Sequence, residues 1–262
     1  MYGLYSYPWG IQSSHRQPET PIYTVHSIIP VYLGGQPGTE RVVVYTSSNT
    51  GLKSKVEIQR YDAAQRKWIV EYSKEAVGVP YFMVTTGYWE LMKKNIVVLS
   101  YSEGSGGFLT YTVVGRNGNT LSELVNREGI FQGGVWLDGA RLVESEGLRY
   151  KVWVRPNRRL TLEPFKVPSI PGAETITFSI SNSAKVNIRQ TRYSVSVGSV
   201  VQLIRTDLNP ITERVLFSYT PVFQYIPHRN AFKITGPGSV QITIIPSGYD
   251  WDQAVDLTVE AK

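Results

Sequence analysis

The sequence predicts an all-β protein: an N-terminal extended arm, a domain of repeated antiparallel β-hairpin, blade-like sheets, and a C-terminal β-sandwich. Three observations predict it. Short β-branched and aromatic runs are separated by Gly, Asn-Gly or Pro turns along most of the chain. One strand–turn plan recurs between residues 41 and 168. The helix candidates are short, at 88–94 and 121–127, and the second competes with a strand.

The arm comes first, at residues 1–40. Pro8, Pro18, Pro21, Pro30 and Pro37 fall in it, each removing a backbone donor and restricting its predecessor, so a helix is excluded. Tyr2, Leu4, Tyr5, Tyr7, Trp9 and Ile11 are costly to leave in water, since burying one such side chain contributes about 1.5–3 kcal/mol. They are therefore the expected partner-binding residues, lying on the arm's own domain or on a neighbour. Within the arm, 22–25 and 28–32 each read as an edge strand.

The repeat is clearest at 95–124, where apolar runs 96–101, 108–115 and 121–125 are separated by a Gly-rich turn and by Arg116-Asn117-Gly118-Asn119. Asn and Gly tolerate positive φ, which makes the latter a strong hairpin signal. One unit earlier, 42–45, 55–61 and 67–72 follow the same plan around a Ser/Asn/Gly turn and the turn 62–66. A shorter third copy runs through 141–143, 149–155 and 159–163. Aligning Val42 with Ile96 gives a repeat of roughly 45–54 residues, in the range of propeller blades. The segment resembles bacterial propeller-type repeats. With about two and a half copies, where closed propellers use four or more, the options are a twisted open sheet, a small barrel, or a blade stack completed by other subunits.

Residues 164–175, Pro-Phe-Lys-Val-Pro-Ser-Ile-Pro-Gly-Ala-Glu-Thr, read as a linker. The last domain, 174–262, holds eight strand-like runs: 175–180, 185–189, 194–197, 200–205, 215–219, 231–234, 239–245 and 254–259. That density is the sign of a β-sandwich. Ser194-Val195-Ser196-Val197-Gly198-Ser199-Val200-Val201-Gln202-Leu203 resembles the opening of bacterial Ig-like domains of group 2. The run from Ile234-Thr235-Gly236 to Ile244 resembles their ending, with Phe217-Ser218-Tyr219 where the family has Trp-x-Ser. Gly198 is expected at a hairpin turn, and Gly236-Pro237-Gly238 at a reversal. Modules of that family decorate adhesins, phage tails and capsids, and surface layers.

Chemistry is sparse. The chain has no cysteine, which excludes disulfides, thiolate metal sites and Cys nucleophiles. His15, His26 and His228 stand apart from one another, so no metal and no cofactor are expected; His228 reads as an exposed turn residue. Glu103-Gly104-Ser105-Gly106-Gly107 has strands on both sides, and so reads as a hairpin rather than a phosphate loop or nucleophile elbow. Asp250-Trp251-Asp252 with Asp256 falls short of a calcium loop. Glu144 and Glu146 read as a solvent-facing acidic pair. Arg155, Arg158 and Arg159, beside Trp153, read as a solvated hairpin tip; the net charge of +6 is diluted by carboxylates, and nucleic acid is not an expected partner.

The expectation is a non-enzymatic structural or assembly protein of an extracellular or particle surface (spore surface, filament or phage virion), a homo-oligomer or lattice formed through the arm and sheet edges. The alternative is a glycan- or cell-wall-binding adhesion module using Trp136, Trp153 and Trp251 as platforms, with a polysaccharide hydrolase behind it. The N-terminus lacks a basic and an apolar signal region, and no run is long enough to span a membrane. A particle or spore surface, or a virion, reached after cytoplasmic synthesis is the expected location.

Overall fold

The computed structural model describes residues 20–35, 38–47, 49, 52–104, 107–218, 220–247 and 250–262. Their regular structure is all β, with three single 3-10 turns and no α-helix. Three four-stranded antiparallel sheets follow one another along the chain, then two mixed sheets.

Each of the first three sheets is a meander in chain order. The first comprises β1 (Tyr23–Val31), β2 (Glu40–Ser47), β3 (Lys53–Asp62) and β4 (Lys67–Val77). Its β3–β4 turn is closed by Asp62, whose carboxylate accepts from the Ala64 and Gln65 N–H groups at 2.9 and 3.1 Å. β1 is a single strand over both segments read separately in the sequence; a register shift at His26 explains the interruption. The second sheet comprises β5 (Met83–Trp89), β6 (Lys94–Glu103), β7 (Phe108–Asn117) and β8 (Thr120–Ile130). Asn117 pairs with Thr120 across a turn in which Gly118 takes φ +61°. Both helix candidates are resolved here: 121–127 lies within β8, and 88–94 keeps only the short turn Glu90–Met92. The third sheet comprises β9 (Gly133–Asp138), β10 (Arg141–Glu146), β11 (Arg149–Val154) and β12 (Thr161–Phe165).

The sheets stack by their faces, and β6 shows why. Its run Ile96-Val97-Val98-Leu99 is buried throughout. Side chains alternate across a strand, so such a run needs cover on both sides. Val97 and Leu99 join Val42, Val44, Val56 and Ile58 of the first sheet, while Ile96 and Val98 join Trp89, Tyr111 and Leu142 toward the third. Val42 and Ile96, aligned by the repeat, both point at the next sheet along. The blade-like units are thus layers whose inner faces are sealed in series. A one-residue slip in β6 would exchange its two faces, but both are apolar; turn geometry and the polar contacts described below hold the register.

The described residues of the C-terminal region form nine strands rather than eight. β13 (Glu174–Ile180), β14 (Val186–Ile188), β16 (Val200–Arg205), β18 (Phe223–Ile226) and β19 (Ala231–Ile234) form one sheet, in the order β14-β13-β16-β19-β18. β15 (Arg192–Val195), β17 (Glu213–Phe217), β20 (Gly238–Pro246) and β21 (Val255–Ala261) form the other, in the order β15-β21-β20-β17. Ile176, Phe178, Leu203, Phe232, Ile242 and Leu257 are among the side chains of the core between them. Two local expectations are corrected. Gly198 (φ +93°) lies between β15 and β16, which belong to different sheets, so it serves a crossing and not a hairpin. The strand β18, bracketed by Pro221 and Pro227, has no counterpart among the runs read from sequence.

Candidate functional site

Each junction along the stack carries a buried carboxylate clasped by arginine. Between the first two sheets, Glu40 accepts from the backbone N–H of Leu33 at 2.7 Å and from Arg116 Nη2 at 2.5 Å. The same Arg116 nitrogen donates to Glu71 at 2.6 Å, and Arg60 holds the other Glu71 oxygen at 2.7 Å. Gly35 makes room, since a Cβ there would lie 3.1 Å from the Glu40 carboxyl carbon. Burial alone would push Glu71 up; the two guanidinium hydrogen bonds outweigh it and hold the carboxyl below its ordinary range.

Between the second and third sheets, Glu144 is fully buried. It accepts two Arg127 hydrogen bonds, both at 3.1 Å, and one from the Tyr111 hydroxyl at 2.8 Å. Trp153 donates its indole N–H to that hydroxyl at 2.9 Å. The solvent-facing reading of Glu144 is therefore corrected: a bidentate guanidinium supplies the partner that burial demands. Glu146 is engaged separately, by Arg149 at 3.1 Å and Lys151 at 3.0 Å.

At the third junction, Glu213 accepts from the Leu148 N–H at 2.6 Å and from Arg205. Arg205 also bonds Asp207 and the carbonyls of Asn209 and Ile211, so its guanidinium is fully occupied and stays charged. Asn230 (φ +48°) accepts from the Tyr150 hydroxyl at 2.7 Å and donates to the Leu148 carbonyl at 3.0 Å. These clasps join layers, and the carboxylates Glu40, Glu144 and Glu213 are engaged in doing so; the buried Arg116 Nε is left without a partner.

Among the described residues, two places offer clustered apolar surface to a partner. One is a cleft of about 540 Å³ between the third sheet and the sandwich, lined chiefly by Trp136, Tyr150, Phe217, Phe223, Tyr225 and His228. His228, in the left-handed region at φ +60°, stacks on Trp136 at 4.3 Å and leaves its other side to solvent. Burial against that ring, then Arg229, push its imidazole below the usual histidine range despite the opposing pull of Asp138.

The other is the outer face of the first sheet, at one end of the stack. Register places Val25, Tyr45 and Lys55 in one row of this face, and Ile28, Val43 and Glu57 in the next. The Glu57 carboxylate accepts from Lys55 at 2.7 Å, Gln59 at 2.6 Å and Tyr45 at 3.0 Å. Arg41 bonds Gln59 at 2.9 Å and lays its guanidinium 3.9 Å over the Trp68 ring. Around this satisfied polar ladder stand exposed apolar groups: Val25 at 55%, Ile28 at 52% and Val70 at 47%.

The arm residues Tyr2, Leu4, Tyr5, Tyr7, Trp9 and Ile11 lie outside the described residues, as do His15, Ser105 and Gly106. Of the three tryptophan platforms, Trp136 is buried beneath His228, Trp153 is half-buried with its N–H engaged, and Trp251 is exposed. Arg155, Arg158 and Arg159 form an exposed tip, Gly104 and Gly107 flank the β6–β7 hairpin, and Asp256 accepts from Thr243 at 2.6 Å. Among the described residues, no three His, Asp or Glu group closely enough to hold a metal ion, and no helix is long and apolar enough to cross a membrane.

No family model matches the chain, and no curated protein does. Among solved structures, Drosophila Semaphorin 2a is similar at 9% identity, over 91% of this chain and 54% of its own, with a TM-score of 0.28. The chain spans about half of that protein's length, and likeness at this level carries no argument.

Proposed function

We propose that this protein is a non-enzymatic assembly subunit of an extracellular or particle surface, such as a spore surface, a filament or a phage virion. It associates with its own copies through the N-terminal arm and the open first sheet. One observation carries the reading. The sheet faces along the stack are sealed in series, yet the outer face of the first sheet is rich in exposed Val and Ile beside Tyr, Trp and Arg, where the arm joins the body. Tyr, Trp and Arg are the residues that dominate binding energy at protein interfaces. Blade-like layers and an appended sandwich of Ig-like type suit a subunit whose work is shape and contact.

The test is removal of residues 1–19, a cut placed ahead of Thr20 so that β1 is kept. The truncated protein should fold with unchanged thermal stability and no longer form fibres, lattices or oligomers by electron microscopy and light scattering. Assembly equal to that of the intact chain contradicts the proposal.

A second reading, glycan binding, is favoured by Trp251, which is 59% exposed on a short turn between Asp250 and Asp252. An exposed indole flanked by carboxylates is a platform for a sugar ring. A glycan array that scores equally for the intact protein and Trp251→Ala removes this reading.

A further inference from the structure

We infer that the outer face of the first sheet is the acceptor for the aromatic arm of a second copy. The inference rests on the proposed assembly role and names the surface that role uses. Three observations carry it.

The first is where the arm attaches. Asn49 accepts from the Ile22 N–H at 2.7 Å and donates to the Thr20 carbonyl at 3.1 Å, so the arm's root is bracketed against the β2–β3 turn. Nineteen residues precede Thr20. Of these, 12–19 are polar apart from Pro18, and can span about 26 Å when extended at roughly 3.3 Å per residue. Pro18 and Pro21 favour extended backbone in the residues before them.

The second is that the edge of β1 is a poor template for strand addition. Pro30 has no N–H to offer, and the irregularity at His26 breaks the register. Both are devices that blunt an edge against pairing. The face carries no such protection.

The third is chemical fit. Arg41 and Lys55 already lie against aromatic rings, Arg41 over Trp68 and Lys55 within 5.9 Å of both Tyr23 and Tyr45. The arm brings further rings, Tyr2, Tyr5, Tyr7 and Trp9, and no carboxylate ahead of Glu19. Because the carboxylate of Glu57 is satisfied within its own ladder, covering it with apolar side chains leaves that charge paired.

The absence of cysteine makes the test clean. Full-length Ser6→Cys, which keeps every ring of the arm, is mixed with mass-tagged full-length Val70→Cys and oxidised. Leu208→Cys, exposed on the sandwich, replaces Val70→Cys in the control. The expected result is a disulfide-linked heterodimer about 10-fold above the control, since the bond needs Cα atoms within about 7 Å. An intramolecular disulfide in the Ser6→Cys/Val70→Cys double variant, with no heterodimer from the mixture, overturns the inference because the arm then lies on its own body. Absence of any Val70 link while assembly still requires residues 1–19 overturns the inference and leaves the assembly role standing. Failure of the intact chain to associate at all overturns both.

Discussion

The two faces of the first sheet are one strand thick apart and follow different rules. Toward the second sheet, Val42, Val44, Val56 and Ile58 are sealed in a core, and the charged groups at its margin are locked into the Arg116 clasp. On the outer side, charged groups are equally well bonded to one another, and Val43 is buried beneath its neighbours, but Val25, Ile28 and Val70 around them face solvent. The inner face is finished; the outer face is ready to be covered. Hydrogen-bond satisfaction therefore does not by itself mark an interior, and the exposed aliphatic rim is what separates the two.

The comparison is sharpest where it is broken by mutation. Removing one partner of a buried ion pair leaves an orphan charge, at a cost of about 3–5 kcal/mol. Arg205→Met and Arg116→Met should each show a loss of that size in urea denaturation. Ile58→Ala, on the inner face, should lose about 2–5 kcal/mol through the cavity it leaves. Arg41→Met, on the outer face, removes a cation–π contact of about 0.5–1 kcal/mol and a hydrogen bond to Gln59 of about 0.5–1.5 kcal/mol, and should cost about 1–2.5 kcal/mol. Ile28→Ala, half-exposed beside it, should stay within about 0.5 kcal/mol of wild type.

Acid should find the clasps. Glu71 and Asp207 are both held low, because hydrogen bonds from Arg60 and Arg116, and from Arg205, outweigh the effect of burial. A carboxyl depressed on folding binds fewer protons folded than unfolded. Its stabilisation is complete above the ordinary value of 4.5 for Glu71 or 3.8 for Asp207, and is lost as pH falls through the lower folded value. Chemical denaturation at a series of acid pH values should show stability dropping in that window, with the Glu71 share reduced in Arg116→Met and carried there by Arg60 alone. His228 gives a smaller effect at higher pH. Its imidazole is also depressed, so the folded state resists protonation and the Trp136 stack weakens as pH falls below the ordinary 6.5. Asp138 opposes and Arg229 reinforces this. Tryptophan fluorescence should show a step below the ordinary histidine value of 6.5 that His228→Phe abolishes.

Much of the fold is legible in the sequence because strand signals are local. The run at 96–99, the Asn117-Gly118 turn and the turn closed by Asp62 announce themselves by residue type. Connections are less legible. Gly198 marks a turn, but whether the next strand returns to the same sheet depends on pairings such as Val195 with Ala261, far apart in the chain. Phe223–Ile226 escapes notice because Pro221 and Pro227 make four strand residues look like loop. The clasps are hardest of all. A single Glu in a strand, such as Glu144, looks like a solvent-facing residue until Arg127 and Tyr111 are brought to it. The arm's greasy residues are legible as residues needing cover, and the face we propose as their acceptor is assembled only when four strands come together.

The central claim is that this outer face exists to be covered by another molecule of the same chain. Val70→Glu tests it most directly, by placing a charge among the exposed apolar groups without disturbing the sealed inner face. The account predicts an unchanged melting temperature together with loss of higher-order species in sedimentation velocity. A variant that sediments as the wild-type assembly, or one whose monomer melts well below it, contradicts the account.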